Sequence, residues 1–427
     1  MLQNKMENIL LNSFLFKTLS NIEKKKYNLL VRVLKYLYFK GPNPVADICS
    51  HLKISSPNGN AILGMLMDHD LIEKKGYGLS KGGRKPELYG LKADAFYTVA
   101  VDMNIHKTRL TIFDSENKQI SETFIFPLEM DSELTTLKKL TSQIKKYIQT
   151  KEIESSKIIG VGVSMPGLVD SQNGFNYSYF NYGEKSFRKL MQEELDLPVF
   201  IENDAKAVAL TAWRFGAARN QQNVLVLLLD WGIGLGMILN GKLYRGANGF
   251  AGELSHIPMV ENGASCICGK NGCLQTIASG SALVAKAREG IMAGKSSLMS
   301  HYAAENIEDV DMTTVVEAAL HGDQFAINLL SEVGEHLGKA IAILIQIFNP
   351  GMIILGGKMA ESGQYITIPV QKSINTYSMH KISEGVTIKN SEMGKEIGLK
   401  GALAVAMEDV FDELAGLHSK KKGKILV

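Results

Sequence analysis

The sequence predicts an α/β protein in two parts, a winged helix-turn-helix over residues 1–91 and an α/β body over residues 92–427. Three observations carry this reading. Amphipathic segments between Asn21 and Met67 lead into a basic stretch with the tip Gly82-Gly83-Arg84-Lys85-Pro86. From Phe96 onward, strand-like runs alternate with apolar repeats of helical spacing, as in mixed α/β layers. Finally, His256, Cys266, Cys268 and Cys273 fall in one short, glycine-punctuated stretch.

A chain of 427 residues can bury two or three real cores. Its net charge of +3 is too small to point to a partner. The apolar runs Val224 to Leu229 and Ile341 to Phe348 are too short to cross a bilayer, so no membrane association is expected. No signal peptide is visible, and three clustered thiols with a histidine fit a reducing compartment, so a cytoplasmic location is expected.

Residues 1–21 carry no strong pattern and read either as an arm or as a first helix. From Asn21, the apolar positions Tyr27, Leu30, Val31, Leu34, Leu37 and Tyr38 recur at three and four residues, predicting a helix that ends at Gly41-Pro42. A shorter helix follows Pro44 with Val45, Ile48 and Leu52 apolar, and Cys49 reads as packing within it. After a turn at Lys53-Ile54, Ser55 or Ser56 can cap a third helix, Pro57 suits its first turn, and Ile62, Leu63, Leu66 and Met67 continue it. Ser55, Ser56, Asn58 and Asn60 are small polar groups able to reach phosphate oxygens and base edges. Between Glu73 and Gly90, Lys74, Lys75, Lys81, Arg84 and Lys85 face only Glu73 and Glu87, so two strands around the glycine tip form a basic wing. Lys81, Arg84 and Lys85 are the wing residues expected at DNA, where they neutralise phosphates or enter a minor groove. The other reading is a solvated hairpin with surface lysines. Helices, turn and wing in this order favour DNA binding.

In the α/β body, strands are expected at Tyr97–Val101, Arg109–Phe113, Ser121–Phe126 and Ile158–Val163, with a helix carrying Leu137, Leu140, Ile144 and Ile148 before the last of them. The strand at Ile158 ends in the turn Met165-Pro166-Gly167-Leu168-Val169-Asp170, at a carboxyl end where α/β sheets commonly bind ligands. The strand Leu197–Ile201 delivers Glu202-Asn203-Asp204 into a helix. Asn203 and Asp204 there can either bind a polyol or cap the helix. Val224 to Leu229 reads as a buried strand running into Asp230-Trp231-Gly232-Ile233-Gly234-Leu235-Gly236, a glycine turn that lets backbone approach a ligand. Helices are expected near 280–293, 312–320 and 323–348. A strand at Met352–Leu355 then ends in Gly356-Gly357, either a nucleotide contact or a plain strand-to-helix turn, and a last long helix opens at Gly398.

Three of the four cysteines lie within eight positions, and with His256 they make the donor set of a closed, structural Zn2+ site. The alternative is a group of unpaired cysteines that happen to be close.

These segments together resemble the ROK family (repressors, open reading frames and kinases). The features that match are Met165 to Asp170, Glu202-Asn203-Asp204-Ala205, Gly232 to Gly236, Gly252-Glu253-Leu254-Ser255-His256, Cys266 to Leu274, and Asn349-Pro350 with Gly356-Gly357. The resemblance implies a two-lobed actin-like, hexokinase-like fold behind the winged module, which looks like that of the family's sugar-responsive repressors. It implies that Asn203, Asp204, Glu253, His256 and Gln275 surround a sugar, His256 also ligating zinc. Gln275 stands where the family commonly has a glutamate. In family kinases the aspartate matching Asp204 is the general base. This chain departs from the kinase pattern in its first phosphate loop. Where Asp-x-Gly-Gly-Thr is usual it has Asp102-Met103-Asn104-Ile105-His106-Lys107, and Ile233 replaces a threonine in the second loop. The expectation is a regulator, not an enzyme: a homodimer or homotetramer on a pseudo-palindromic DNA operator, responsive to a sugar or sugar phosphate in the cleft. The alternative is an ATP- and Mg2+-dependent sugar kinase that retains a DNA-binding module.

Overall fold

The structure, a computed structural model, describes residues 19–79, 85–105, 107–303, 306–391 and 394–415. Helix α1 (Asn21–Lys40) starts from a capping box in which Ser20 Oγ accepts from the Glu23 amide and Glu23 accepts from the Ser20 amide, and it stops at Gly41, φ 76°. Its apolar stripe, including Tyr27, Leu30, Leu34 and Leu37, is buried. Strand β1 (Asn43–Pro44), α2 (Val45–Leu52), α3 (Ser56–Asp68), β2 (Ile72–Tyr77) and β3 (Glu87–Leu91) complete a winged helix-turn-helix, its strands ordered β1-β3-β2. Lys53 in the left-handed region (φ 56°) turns the chain between α2 and α3.

The body continues with β4 (Tyr97–Met103), β5 (Lys107–Asp114), β6 (Phe124–Pro127), α4 (Leu134–Gln149), β7 (Ile158–Met165), the ribbon β8 (Val169–Asp170) and β9 (Phe175–Asn176), α5 (Phe187–Leu195) and β10 (Val199–Asn203). Next come α6 (Asp204–Arg214), β11 (Val224–Leu229), β12 (Ile233–Leu239), β13 (Lys242–Leu243), α7 (Gly280–Met292), α8 (Met312–Leu320), α9 (Gln324–Phe348), β14 (Met352–Gly356), α10 (Gln364–Tyr377), β15 (Thr387–Asn390) and α11 (Ile397–Leu414). The two five-stranded sheets run β6-β5-β4-β7-β10 and β13-β12-β11-β14-β15. Each is an antiparallel meander of three strands extended by two parallel ones, so one topology occurs twice. This is the two-lobed actin-like fold that was expected. No described helix is long and apolar enough to cross a membrane.

The chain divides into two compact units, residues 1–203 with 399–427 and residues 204–398. The winged module therefore shares a unit with the first lobe, and the boundary expected near residue 92 lies inside that unit. Tyr38 and Phe39 of α1 meet Phe96 and Phe411 with ring centroids 5.7–6.3 Å apart. Lys35 reaches Asp412 at 2.6 Å, and Lys75 of the wing reaches Glu116 at 2.8 Å. Within the first lobe, α11 lies so close to β7 that a Cβ at Gly162 would fall 1.9 Å from the Ala402 carbonyl oxygen. In the second unit the central sheet is buried on both faces. Leu225, Leu227, Leu229, Ile353 and Leu355 face one core, while Val224, Val226, Met352 and Ile354 face the other. This explains a strand that reads as an uninterrupted apolar run.

Candidate functional site

His256 ends a short 3-10 turn (Leu254–His256), and the loop after it folds back through the bridges Pro258↔Cys273 and Ser265↔Asn271. Cys266 and Cys268 sit in a tight turn closed by the Cys266 amide to Lys270 O (2.7 Å) and the Gly269 amide to Cys266 O (2.9 Å). Gly272, at φ 69°, admits the Val260 carbonyl oxygen 1.8 Å from where a Cβ would stand, so only glycine closes this loop. The ligand atoms of His256, Cys266, Cys268 and Cys273 all lie within 4.8 Å of one another, a group that could hold a metal ion. Cys268 Sγ is 3.6 Å from Cys273 Sγ, and Cys266 Sγ is 3.5 Å from His256 Nδ1. A tetrahedron with Zn–S near 2.3 Å has edges of about 3.8 Å, so the residues present fit the ion. Burial and the neighbouring thiols push Cys273 up to about 11, while the Lys270 amide holds Cys268 below the ordinary thiol range. Cys49, the remaining cysteine, is buried with its Sγ 3.8 Å from the Ser55 carbonyl oxygen.

The sugar residues inferred from the sequence are all half-buried. Asn203 closes the first unit, at the end of β10, where its Nδ2 donates to Gly167 O (3.2 Å) in the turn after β7. Asp204, Glu253, His256 and Gln275 belong to the second unit. Asp204 opens α6, and its Oδ1 accepts from the Ala205 amide at 2.8 Å, so the carboxylate does serve the helix start. Burial raises the Glu253 carboxyl, with Lys206 and His256 pulling it back. Gln275, in a one-turn helix, has its side-chain amide 3.6–3.7 Å from where a Gly232 Cβ would be. Lys206, 2 % exposed, was not singled out from the sequence, although its place two residues after Asp204 on a helix otherwise lined with alanines was a usable signal.

The glycine-rich segments correct one expectation and narrow another. Gly234 and Gly236 are not part of a turn: they lie in β12, and Cβ atoms there would meet Ala205 Cβ and Ala205 O at 2.4 and 2.5 Å. Their role is to let α6 lie against the strand, and the turn itself is Asp230-Trp231-Gly232. Gly357 (φ 89°) admits the Leu229 carbonyl oxygen at 2.5 Å, which favours the plain strand-to-turn reading. The surviving Asp102 is taken by a residue missed in the sequence. Arg109, directly opposite on β5, donates to Asp102 Oδ2 from Nε at 3.0 Å and from its terminal nitrogen at 2.5 Å. Burial raises the Asp102 carboxyl, opposed first by the Arg109 guanidinium.

In the winged module, Ser55 holds the cap position of α3 but makes no side-chain capping bond. Ser55, Ser56, Asn58 and Asn60 are exposed, as is Lys85, while Lys81 and Arg84 lie outside the described residues. Two members of the basic cluster are occupied: Lys74 pairs with Glu87 at 3.0 Å, and Lys75 with Glu73 and Glu116 at 2.5 and 2.8 Å.

Comparison with known proteins places this geometry. A glucokinase of Halalkalibacterium halodurans is 29% identical over 72% of this chain and 94% of its own length. The N-acetylglucosamine repressor of Escherichia coli is 26% identical over 88% of this chain and 92% of its own. The glucokinase thus matches the two lobes, whereas the match to the repressor extends into the winged module. A crystal structure of a ROK family transcriptional regulator, described as a homologue of the Escherichia coli MLC protein, shares the fold with a TM-score of 0.78 at 24% identity, covering 93% of this chain and all of that one. The ROK family model itself matches residues 98–409, from the first strand of the first lobe into the helix that returns to it, and the chain belongs to the ROK family.

Proposed function

We propose that the protein is a sugar-responsive DNA-binding transcription regulator, a repressor of carbohydrate-utilisation genes. Residues 1–91 serve as the DNA-binding module and residues 92–427 as the sugar-binding body, with a zinc loop at 256–273. The observation that carries the reading is the Asp102–Arg109 ion pair: the one acidic group left in the first phosphate loop is neutralised, in a loop that has lost its glycines and threonine. Phosphoryl transfer depends on positioning and neutralising the transferred group, and a carboxylate committed to arginine does not hold Mg2+ for it. The full-length match to a sugar repressor supports the same conclusion.

The sugar or sugar phosphate is held by Asn203, Asp204, Glu253, His256 and Gln275. Zn2+ on His256, Cys266, Cys268 and Cys273 is structural. Nδ1 of His256 faces the Cys266 thiol, so a metal there fixes the ring and leaves Nε2 for a hydroxyl. The operator is pseudo-palindromic and is bound by a homodimer or homotetramer, and the effector shifts the DNA affinity by about 1–3 kcal/mol, a typical coupling. The test is a mobility shift on the region upstream of the protein's own operon with and without candidate sugars. Absence of any sequence-specific shift refutes the proposal. Asp204 at the start of α6 favours a second reading, an ATP- and Mg2+-dependent sugar kinase. Sugar phosphorylation that Asp204→Asn abolishes would establish it.

A further inference from the structure

The outward face of α3 bears on which bases the protein reads, an inference that rests on the DNA-binding reading above. Gly59, Ile62, Leu63 and Leu66 form the buried seam of α3. A Cβ at Gly59 would lie 2.2 Å from Cys49 Sγ, so α2 presses on the backbone of α3 and fixes which side turns outward. At about 100° per residue, Pro57, Ala61, Gly64 and Asp68 stand opposite the seam, flanked by Asn60 on one side and Asn58 on the other. Asn58, Asn60 and Ala61 are exposed.

From Ser55 to Asp68 the segment contains neither lysine nor arginine. Guanine is read in the major groove chiefly by arginine or lysine on O6 and N7. Adenine is read by asparagine or glutamine on N6 and N7, and the thymine methyl by small apolar groups. Asp68, the only charged residue of α3, lies at the end away from the N-terminal half that such helices insert. Lys53, three residues before α3, and Lys85 of the wing are exposed, which suits phosphates. We propose that α3 reads adenine–thymine pairs, Asn58 and Asn60 pairing with adenine edges and Ala61 and Pro57 meeting thymine methyl groups. Gly64, with nothing within 4 Å of a Cβ position, adds no side chain to hold the helix off the bases.

In vitro selection with the full chain and a random duplex library tests this. Enriched half-sites should carry A·T pairs where α3 is seated. Asn60→Ala should flatten the preference at one position and weaken binding to the selected site roughly five- to hundredfold, more than it weakens binding to random-sequence duplex. Asn60→Arg should move that position toward guanine. Both changes are on the surface and leave the seam intact. Selected G·C pairs at the positions that respond to Asn58→Ala or Asn60→Ala overturn the proposal, as does a base preference that both variants leave untouched. A library from which no sequence is enriched overturns the DNA-binding reading itself and this inference with it, so the two failures are distinguishable.

Discussion

Removing the guanidinium from Asp102 should destabilise the first unit by an amount that depends on pH. Asp102 is 8 % exposed in the intact protein, and in Arg109→Ala its carboxylate loses the donors at 2.5 and 3.0 Å. Breaking a buried ion pair costs about 3–5 kcal/mol. The Arg109 side chain is 24% exposed and that of Asp102 11%, so water screens part of the loss, and about 2–4 kcal/mol at pH 7.5 is expected. With m about 2–3 kcal/mol per molar urea, the unfolding midpoint should fall by roughly 1 M. The sign of the pH dependence follows from burial, which raises the Asp102 carboxyl in the folded state. Without arginine it rises further above its unfolded value of about 3.9. A carboxyl raised on folding incurs no penalty below the unfolded pKa, and the penalty grows as pH climbs toward the folded one. The variant should therefore lie closer to wild type at pH 5 than at pH 7.5, and adding Asp102→Asn should recover part of the loss. Urea unfolding followed by circular dichroism at both pH values measures this. A midpoint unchanged at pH 7.5, or a larger loss at pH 5, refutes the idea that Arg109 neutralises a buried Asp102.

Cys268→Ser should lower bound zinc, measured by elemental analysis of the purified protein, and make the second unit more susceptible to proteolysis; wild-type protein devoid of zinc would count against the site. Arg84→Ala should weaken operator binding and reduce the slope of log affinity against log salt by about 1, and an unchanged slope rules out a phosphate contact by that side chain. Gly236→Val, whose Cβ would meet the Ala205 carbonyl oxygen at 2.5 Å, should cost about 1–3 kcal/mol by forcing α6 from β12. Thermal melts of Gly236→Val that match wild type would show that this close approach relaxes freely.

Much of this architecture was legible because it is local. The stripe of α1, the apolar run of β11 and the group of cysteines all announce themselves within short windows of sequence. The features that escaped depend on pairing across distance. Arg109 is nearly neutral as a sequence feature until β4 and β5 are registered, although pairing the two strands with Met103 opposite Thr108 would have set it opposite Asp102. Gly234 and Gly236 resemble a ligand loop when read alone, because the residue that needs their missing side chains, Ala205, lies on another element. Lys75 counted as free basic charge because its partner Glu116 stands beyond the wing, on the turn after β5.

The return of α11 to the first unit also bears on how the protein is made. Residues 1–203 leave the ribosome well before Leu399, the first residue of the helix segment that covers them. At usual elongation speeds that interval is roughly 10–40 seconds. During it, Tyr38, Phe39 and Phe96 lack Phe411, and Gly162 faces no helix. A chain interrupted before α11 therefore displays an aromatic face and an uncovered sheet, the surfaces that chaperones and proteases recognise. Premature termination would then tend to yield a degraded fragment instead of a stable DNA-binding one that no sugar can release.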